Sequence, residues 1–237
     1  MEIIYWVLDT GVPTHPLAAC PLITYTPAMS TLEAASLSST MTVLPFSCER
    51  ALLERFLKAE AMALWSVRAS QLTHVPPHVL MFLRRHEAEE QAHLKQFESM
   101  LGTTSSGKQV LPRVPQQWES LAVHLFGYET LGLEFAKLLV TLRPDLSSIL
   151  EDEEGHVSFF ERELQRLLAG GGRAAEGARA SARAWWKKLS RTLGRYLGDE
   201  SLAAHREELH RVILAAIESR FVRVGLFNSS RSSSLVL

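Results

Sequence analysis

Cysteine is almost missing from this chain: Cys20 and Cys48 are the two in its 237 residues. They are too few for a disulfide scaffold, a four-cysteine zinc site or a four-cysteine iron centre, and a reducing, cytoplasmic compartment is expected. Long apolar runs are missing too, since no stretch approaches the roughly 20 uninterrupted apolar residues of a membrane-spanning helix. Lys and Arg are absent from residues 1–49, so the basic start of a secretory signal is lacking, and Pro13, Pro16, Pro21 and Pro27 break up the segment. Residues 1–46 therefore read as an irregular lead-in, with Met29 and Met41 as alternative starts to Met1. No excess charge exists either: 25 Lys+Arg stand against 26 Asp+Glu, a formal net charge of −1. That balance argues against bulk electrostatic binding to nucleic acid or anionic membrane and leaves local patches open. What is present, 46% hydrophobic and 22% charged residues, excludes a low-hydrophobicity disordered chain.

From residue 47 apolar residues recur at three- and four-residue spacing in four runs, about 47–73, 77–102, 115–142 and 144–169. The break THVPPH at 73–78 separates the first pair, and Arg143-Pro144-Asp145 separates the second, with Pro144 suited to a first helical position. Between the pairs, 102–115 is a Gly/Ser/Pro-bearing crossover. Two tight hairpins joined by one long connection predict an all-α fold, a four-helix bundle over 47–169. Gly170-Gly171-Gly172 ends the fourth run, and an appendage over 170–227 holds two further helical candidates at 181–197 and 199–222. Residues 228–237 read as a frayed tail.

One short motif recurs. Glu90-Gln91-Ala92-His93 lies in the second run and Glu153-Glu154-Gly155-His156 in the fourth, and i, i+3 spacing puts each carboxylate beside its imidazole. At about 100° per residue, Glu90 and His93 share a stripe with Leu83, His86 and Phe97, while Glu153 and His156 share one with Ile149, Val157 and Phe160. Glu60 sits on the apolar stripe of the first run, among Phe56, Leu57 and Leu64. In the third run Glu129 falls with Leu125, Leu133 and Ala136, whereas Glu134 shares the arc of Glu119, Thr130 and Lys137, read as solvent-facing. Height along the bundle disagrees, matching Glu153 to Glu134 and leaving Glu129 roughly 7 Å too far from the turn. A helix ending near Val140 reduces that mismatch, so Glu129 is the expected ligand and Glu134 the alternative.

Ionised carboxylates on buried stripes cost several kcal/mol each unless paired or bound to a metal. Four carboxylates and two imidazoles suit two divalent iron or manganese ions, which take oxygen and imidazole donors and whose charge the four carboxylates neutralise. A metal-free Glu/His polar network is the competing reading. His86 is either a hydrogen-bonding partner of the ligands or a satisfied core histidine. Glu89 and Asp152, each just before a candidate bridging Glu, are placed to accept the free N–H of a ligand histidine from the neighbouring helix, or else are exposed. Tyr128 lies beside Glu129, near the site or in the core, and His205 and His210 read as surface. Bases from Arg173 to Arg195 line one side of a helix whose other side carries Trp185, Trp186 and Leu189. Such a helix packs on the bundle or meets a membrane surface or nucleic acid.

Over about 47–169 the chain resembles the ferritin-like di-iron carboxylate superfamily, whose set is one Glu from each of two helices and a Glu-x-x-His from each of the other two. ILEDEEGHVSFFEREL (149–164) is similar to the last bundle helix of bacterioferritins, EEQAHLKQFESML (89–101) to the second helix of demethoxyubiquinone hydroxylases, and YETLGLEF (128–135) to the third helix of tRNA-modifying di-iron hydroxylases. The resemblance implies Glu60 and Glu129 as terminal ligands, Glu90 and Glu153 as bridging carboxylates, and His93 and His156 as one imidazole per metal. It also implies an O2-activating oxidoreductase acting on an organic substrate with an external electron donor. A ferroxidase or peroxide-scavenging role, a manganese catalase and a metal-free interaction module are the alternatives, as monomer or homodimer. Without a Cys-x-x-Cys pair, the rubredoxin-type centre of rubrerythrins is excluded.

Overall fold

The computed structural model describes residues 44–104 and 113–228. Most of the lead-in, Cys20, the middle of the crossover and the tail after residue 228 lie outside them. Among the described residues there are six α-helices and no strand: α1 Glu49–Ser70, α2 Pro77–Leu101, α3 Trp118–Leu142, α4 Ser147–Ala169, α5 Gly172–Tyr196 and α6 Arg206–Val224. Short 3-10 turns occupy Phe46–Cys48, Pro144–Leu146 and Glu200–His205.

Local chemistry sets the ends. α2 begins with Pro77 in its first turn, where a missing N–H costs nothing, and stops at Gly102, whose φ of 61° turns the chain out of the helix. Arg143 is forced out of helical geometry by the following Pro144, and a 3-10 turn intervenes before α4 starts at Ser147. After α4, Gly171 and Gly172 take φ of 66° and 61° and send the chain back as α5.

α1 packs on α2 and α3 on α4; α1 also touches α3, and α2 touches α4. α5 lies on α3 and α4, and α6 on α3, α4 and α5. α3 is thereby enclosed around its circumference. The arc of Thr130 and Glu134, expected to face solvent, is buried under α6: Thr130 is fully buried and Glu134 is 8% exposed. Glu134 pairs there with Lys137 Nζ at 2.7 Å, with Arg220 Nε at 3.8 Å.

The fifth helix starts nine residues before the expected 181, because Ala175, Ala178 and Ala182 form a small buried face that lets α5 lie close to its neighbours. At Gly127 of α3 the approach is closest, and an added Cβ would lie 2.4 Å from the Trp185 indole. Trp185 and Trp186 pack on Phe221 of α6, with ring centroids 5.3 and 6.2 Å away. The apolar side of the basic helix is thus used within the fold, while Arg173, Arg183, Lys187, Lys188 and Arg191 are exposed. No helix among the described residues is long and apolar enough to cross a membrane.

Candidate metal centre

Each of α1–α4 contributes to one buried cluster. Glu60 comes from α1, Glu90 and His93 from α2, Glu129 from α3, Glu153 and His156 from α4, and none is more than 5% exposed. Their donor atoms form two groups: Glu60, Glu90, His93 and Glu153 in one, and His86, Glu90, Glu129 and His156 in the other, all atoms of a group within 4.8 Å of one another. Glu90 belongs to both groups, whereas Glu153, expected to bridge as well, falls in the first alone. Glu153 reaches its place because α3 presents Gly132 to it; an added Cβ there would meet Glu153 Oε2 at 3.0 Å. Glu129 joins the cluster without matching Glu153 in height, since it meets His86 and His156 one turn further along. Glu134, the alternative ligand, lies outside both groups.

The outward edges of the two motif histidines are tied crosswise. His93 Nε2 donates to Asp152 Oδ2 of α4 at 3.0 Å, and His156 Nε2 donates to Glu89 Oε2 of α2 at 2.9 Å. Of the two readings of Glu89 and Asp152, the structure shows the hydrogen bond to the neighbouring helix's histidine in both, while Asp152 remains partly exposed. An imidazole that donates from Nε2 turns Nδ1 the other way, into the cluster. His93 Nδ1 lies 3.7 Å from Glu60 Oε2, and His156 Nδ1 lies 3.5 Å from both Glu90 Oε1 and Glu129 Oε2. Both Nδ1 atoms are buried without a hydrogen-bond partner, as are Oε2 of Glu60, Glu90 and Glu153.

With the imidazoles neutral at Nδ1 and the carboxylates ionised, these atoms are acceptors aimed at acceptors, a costly arrangement unless a proton or a metal cation lies between them. The separations are within a few tenths of an ångström of the about 3.0–3.4 Å between two donors on one ion with bonds of about 2.1 Å. The donor set, imidazole nitrogen with carboxylate oxygen, fits divalent iron or manganese.

Among the side chains alone, protons supply the positive charge. Burial, then the charge of Glu90, pushes the Glu60 carboxyl well above the usual range; burial, then Glu129 and Glu90, does the same to Glu153. Burial also opposes ionisation of Glu90 and Glu129, but it is outweighed, at Glu90 chiefly by the His86 hydrogen bond and at Glu129 by the charge of His86 and the contact with His156, so both fall below the usual range. His156 is raised to about 11, burial being overcome by Glu129 and Glu89.

His86 is more than a packed core residue. Its Nε2 lies 2.8 Å from Glu90 Oε1 and 3.5 Å from Glu129 Oε2, and its ring lies tilted by 36° against that of His156 with centroids 3.7 Å apart. It thus stands where a second imidazole donor would on the Glu129 side, making that group richer in nitrogen than the Glu60 side. The signal was its position one turn before Glu90.

A cavity opens on the cluster between α1 and α3 and reaches Tyr196 of α5. Tyr128 lines it rather than filling the core, in edge contact with His124 at 4.9 Å and Trp185 at 6.0 Å. His124, on no expected site, also lines it, and its Nε2 is buried and unpartnered. Burial, with the charge of Lys188, lowers His124 to about 4, so it is neutral near pH 7. Glu163 is a further buried acid, held by His78 at 2.8 Å and by Arg166, and is satisfied without a metal.

Comparisons with known protein families, with characterised proteins and with solved structures return no match for this chain.

Proposed function

We propose that the chain is a ferritin-like di-metal carboxylate protein, an O2-activating oxidoreductase that holds two iron ions, or manganese in their place, and oxidises an organic substrate. One observation carries it: His93 and His156 are locked from outside by Asp152 and Glu89, so that each aims an unpartnered Nδ1 at buried carboxylates. A polar network built for stability satisfies its buried atoms with hydrogen bonds, whereas this one leaves them without hydrogen-bond partners and relies on protons where two cations would fit.

Glu60, His93, Glu153 and Glu90 would hold one ion, and Glu129, His156, His86 and Glu90 the other. Two such ions would supply electrons for reducing dioxygen. In a hydroxylation one oxygen atom enters the C–H bond and the other leaves as water, consuming two protons and two electrons that an external donor restores. The chain's own part is positional. Asp152 and Glu89 fix the imidazole rings, Gly132 makes room for Glu153, and Phe82, Phe159 and Phe160 wall the His86/His156 side against water, their rings in mutual contact. The apolar cavity on the carboxylates favours an organic substrate over a ferroxidase, whose ions need an acidic entry path.

Oxygen uptake by anaerobically Fe(II)-loaded protein tests this reading. Uptake sustained by a chemical reductant beyond the iron added supports it; uptake that stops in proportion to the iron added, with every donor tried, favours the ferroxidase.

A further inference from the structure

The cavity has one polar end and one metal-facing end. Glu60, Glu90, Glu129 and Glu153 line the inner end, and Phe56, Leu125, Leu131 and Phe135 make much of the remaining wall. Its mouth is open to solvent, between Arg55 and Ser66 of α1 and the facing residues of α3. Among the described residues, Arg55 is the one cation in that wall. It is half-buried and forms no hydrogen bond or ion pair among the described residues. The nearby Asp199 feels its charge but is already bonded to Ser201 N and Oγ, at 3.0 and 2.8 Å.

A half-exposed guanidinium without a protein partner is held by water at the cavity mouth, and a carboxylate can take the place of that water with two parallel hydrogen bonds to its fork. The other polar groups of the wall, His124, Tyr128, Tyr196 and Ser66, carry no positive charge near pH 7 and offer hydrogen bonds only. A single cation suits a monoanion; a phosphate dianion calls for more. Arg55 precedes Glu60 by five residues on α1, a rise of about 7.5 Å, so a molecule anchored at Arg55 reaches the carboxylates with a short hydrocarbon body.

We propose that this cavity binds an amphipathic monocarboxylate, its carboxylate on Arg55 and its apolar body along Phe56, Leu125 and Phe135 with the far end at the metal cluster. That this acid is the molecule oxidised rests on the di-metal reading; that it binds does not.

The probes are octanoate and 4-phenylbutyrate, with 1-octanol and 4-phenylbutan-1-ol as uncharged counterparts, titrated calorimetrically into full-length protein loaded with redox-inert Zn(II). The acids are expected to bind, the alcohols at least about tenfold more weakly, and Arg55→Gln to remove that preference by weakening the acids about tenfold or more. Arg55→Lys should restore part of the preference. Ala59→Trp, which fills the cavity one turn along α1, should abolish binding of both acids. Acids and alcohols binding alike, no binding of either acid, or full acid binding in Arg55→Gln or Ala59→Trp overturns the proposal. Zinc content of the same samples keeps the two readings apart. Zinc-loaded protein that ignores the acids refutes the carboxylate site alone, while protein that binds the acids but takes up no zinc refutes the metal reading and leaves the carboxylate site standing.

Discussion

Gly132→Ala separates metal binding from stability because the two should move in opposite directions. Gly132 lies in the middle of α3, where alanine is favoured over glycine by about 1 kcal/mol through backbone entropy. Its new Cβ would lie 3.0 Å from Glu153 Oε2. That oxygen has no hydrogen-bond partner and ends a flexible side chain, so it yields by a few tenths of an ångström at little cost to the fold. Chelator-treated Gly132→Ala should therefore melt about 2–4 °C above the parent. A donor atom moved by that amount loses its fit to an ion whose bonds tolerate only about 0.2 Å, and an affinity loss of about 10–100-fold on the Glu60 side is expected. Differential scanning calorimetry gives the first quantity, and competition of Co(II) or Zn(II) with a chromophoric chelator gives the second. If the variant binds metal as tightly as the parent, or loses stability and affinity together, Glu153 is not a ligand positioned by Gly132.

Asp152→Asn and Glu89→Gln should each weaken metal binding about 10–100-fold with the helix content intact, measured by chelator competition and circular dichroism; unchanged affinity in both would mean that the crosswise hydrogen bonds do not set the imidazoles. Glu134→Gln should leave metal stoichiometry as it was while Glu129→Gln lowers it, by plasma mass spectrometry on matched samples; the reverse result would restore Glu134 as the third-helix ligand. His124 gives a pH test. Its folded value of about 4 lies below its ordinary 6.5, so the unfolded chain takes up a proton that the folded chain refuses. The stability this represents is full above pH 6.5 and lost as pH falls towards 4, by about 3 kcal/mol. Urea unfolding of chelator-treated parent and His124→Gln at several pH values should therefore give curves that converge or cross below pH 6.5, and parallel curves would refute the buried neutral histidine.

The helical hairpins and both Glu-x-x-His motifs were legible because each obeys a local period: an apolar stripe, a proline or glycine stop, and i, i+3 spacing. Asp152 and Glu89 were legible for a related reason, since a residue just before a ligand Glu is rotated by about 100° towards the adjoining helix. Glu134 was misplaced because its arc is polar in sequence, and only the docking of α6, whose Arg220 lies 3.8 Å from it, shows that it is covered. Face put Glu129 among the buried His86/Glu90/His156 group, whereas height pointed to Glu134 because it took Pro144 as the start of α4, which begins at Ser147, and required the third-helix residue to sit level with Glu153. The early start of α5 was hidden in an Ala/Arg stretch whose alanines look like filler until α3 and α4 are seen to need a small face. His86 in the ligand group, Arg55 unpaired and His124 in the cavity wall depend on contacts between helices far apart in the chain, which periodicity does not encode.

Glu90 belongs to both buried donor groups, and on the di-metal proposal it is shared between the two metal positions. Metal analysis of protein loaded anaerobically with Fe(II) and desalted, beside Glu90→Ala, tests it directly. Two irons per chain in the parent and close to none in Glu90→Ala is the expected result; well under one iron per chain in the parent, or the same content in both, contradicts it.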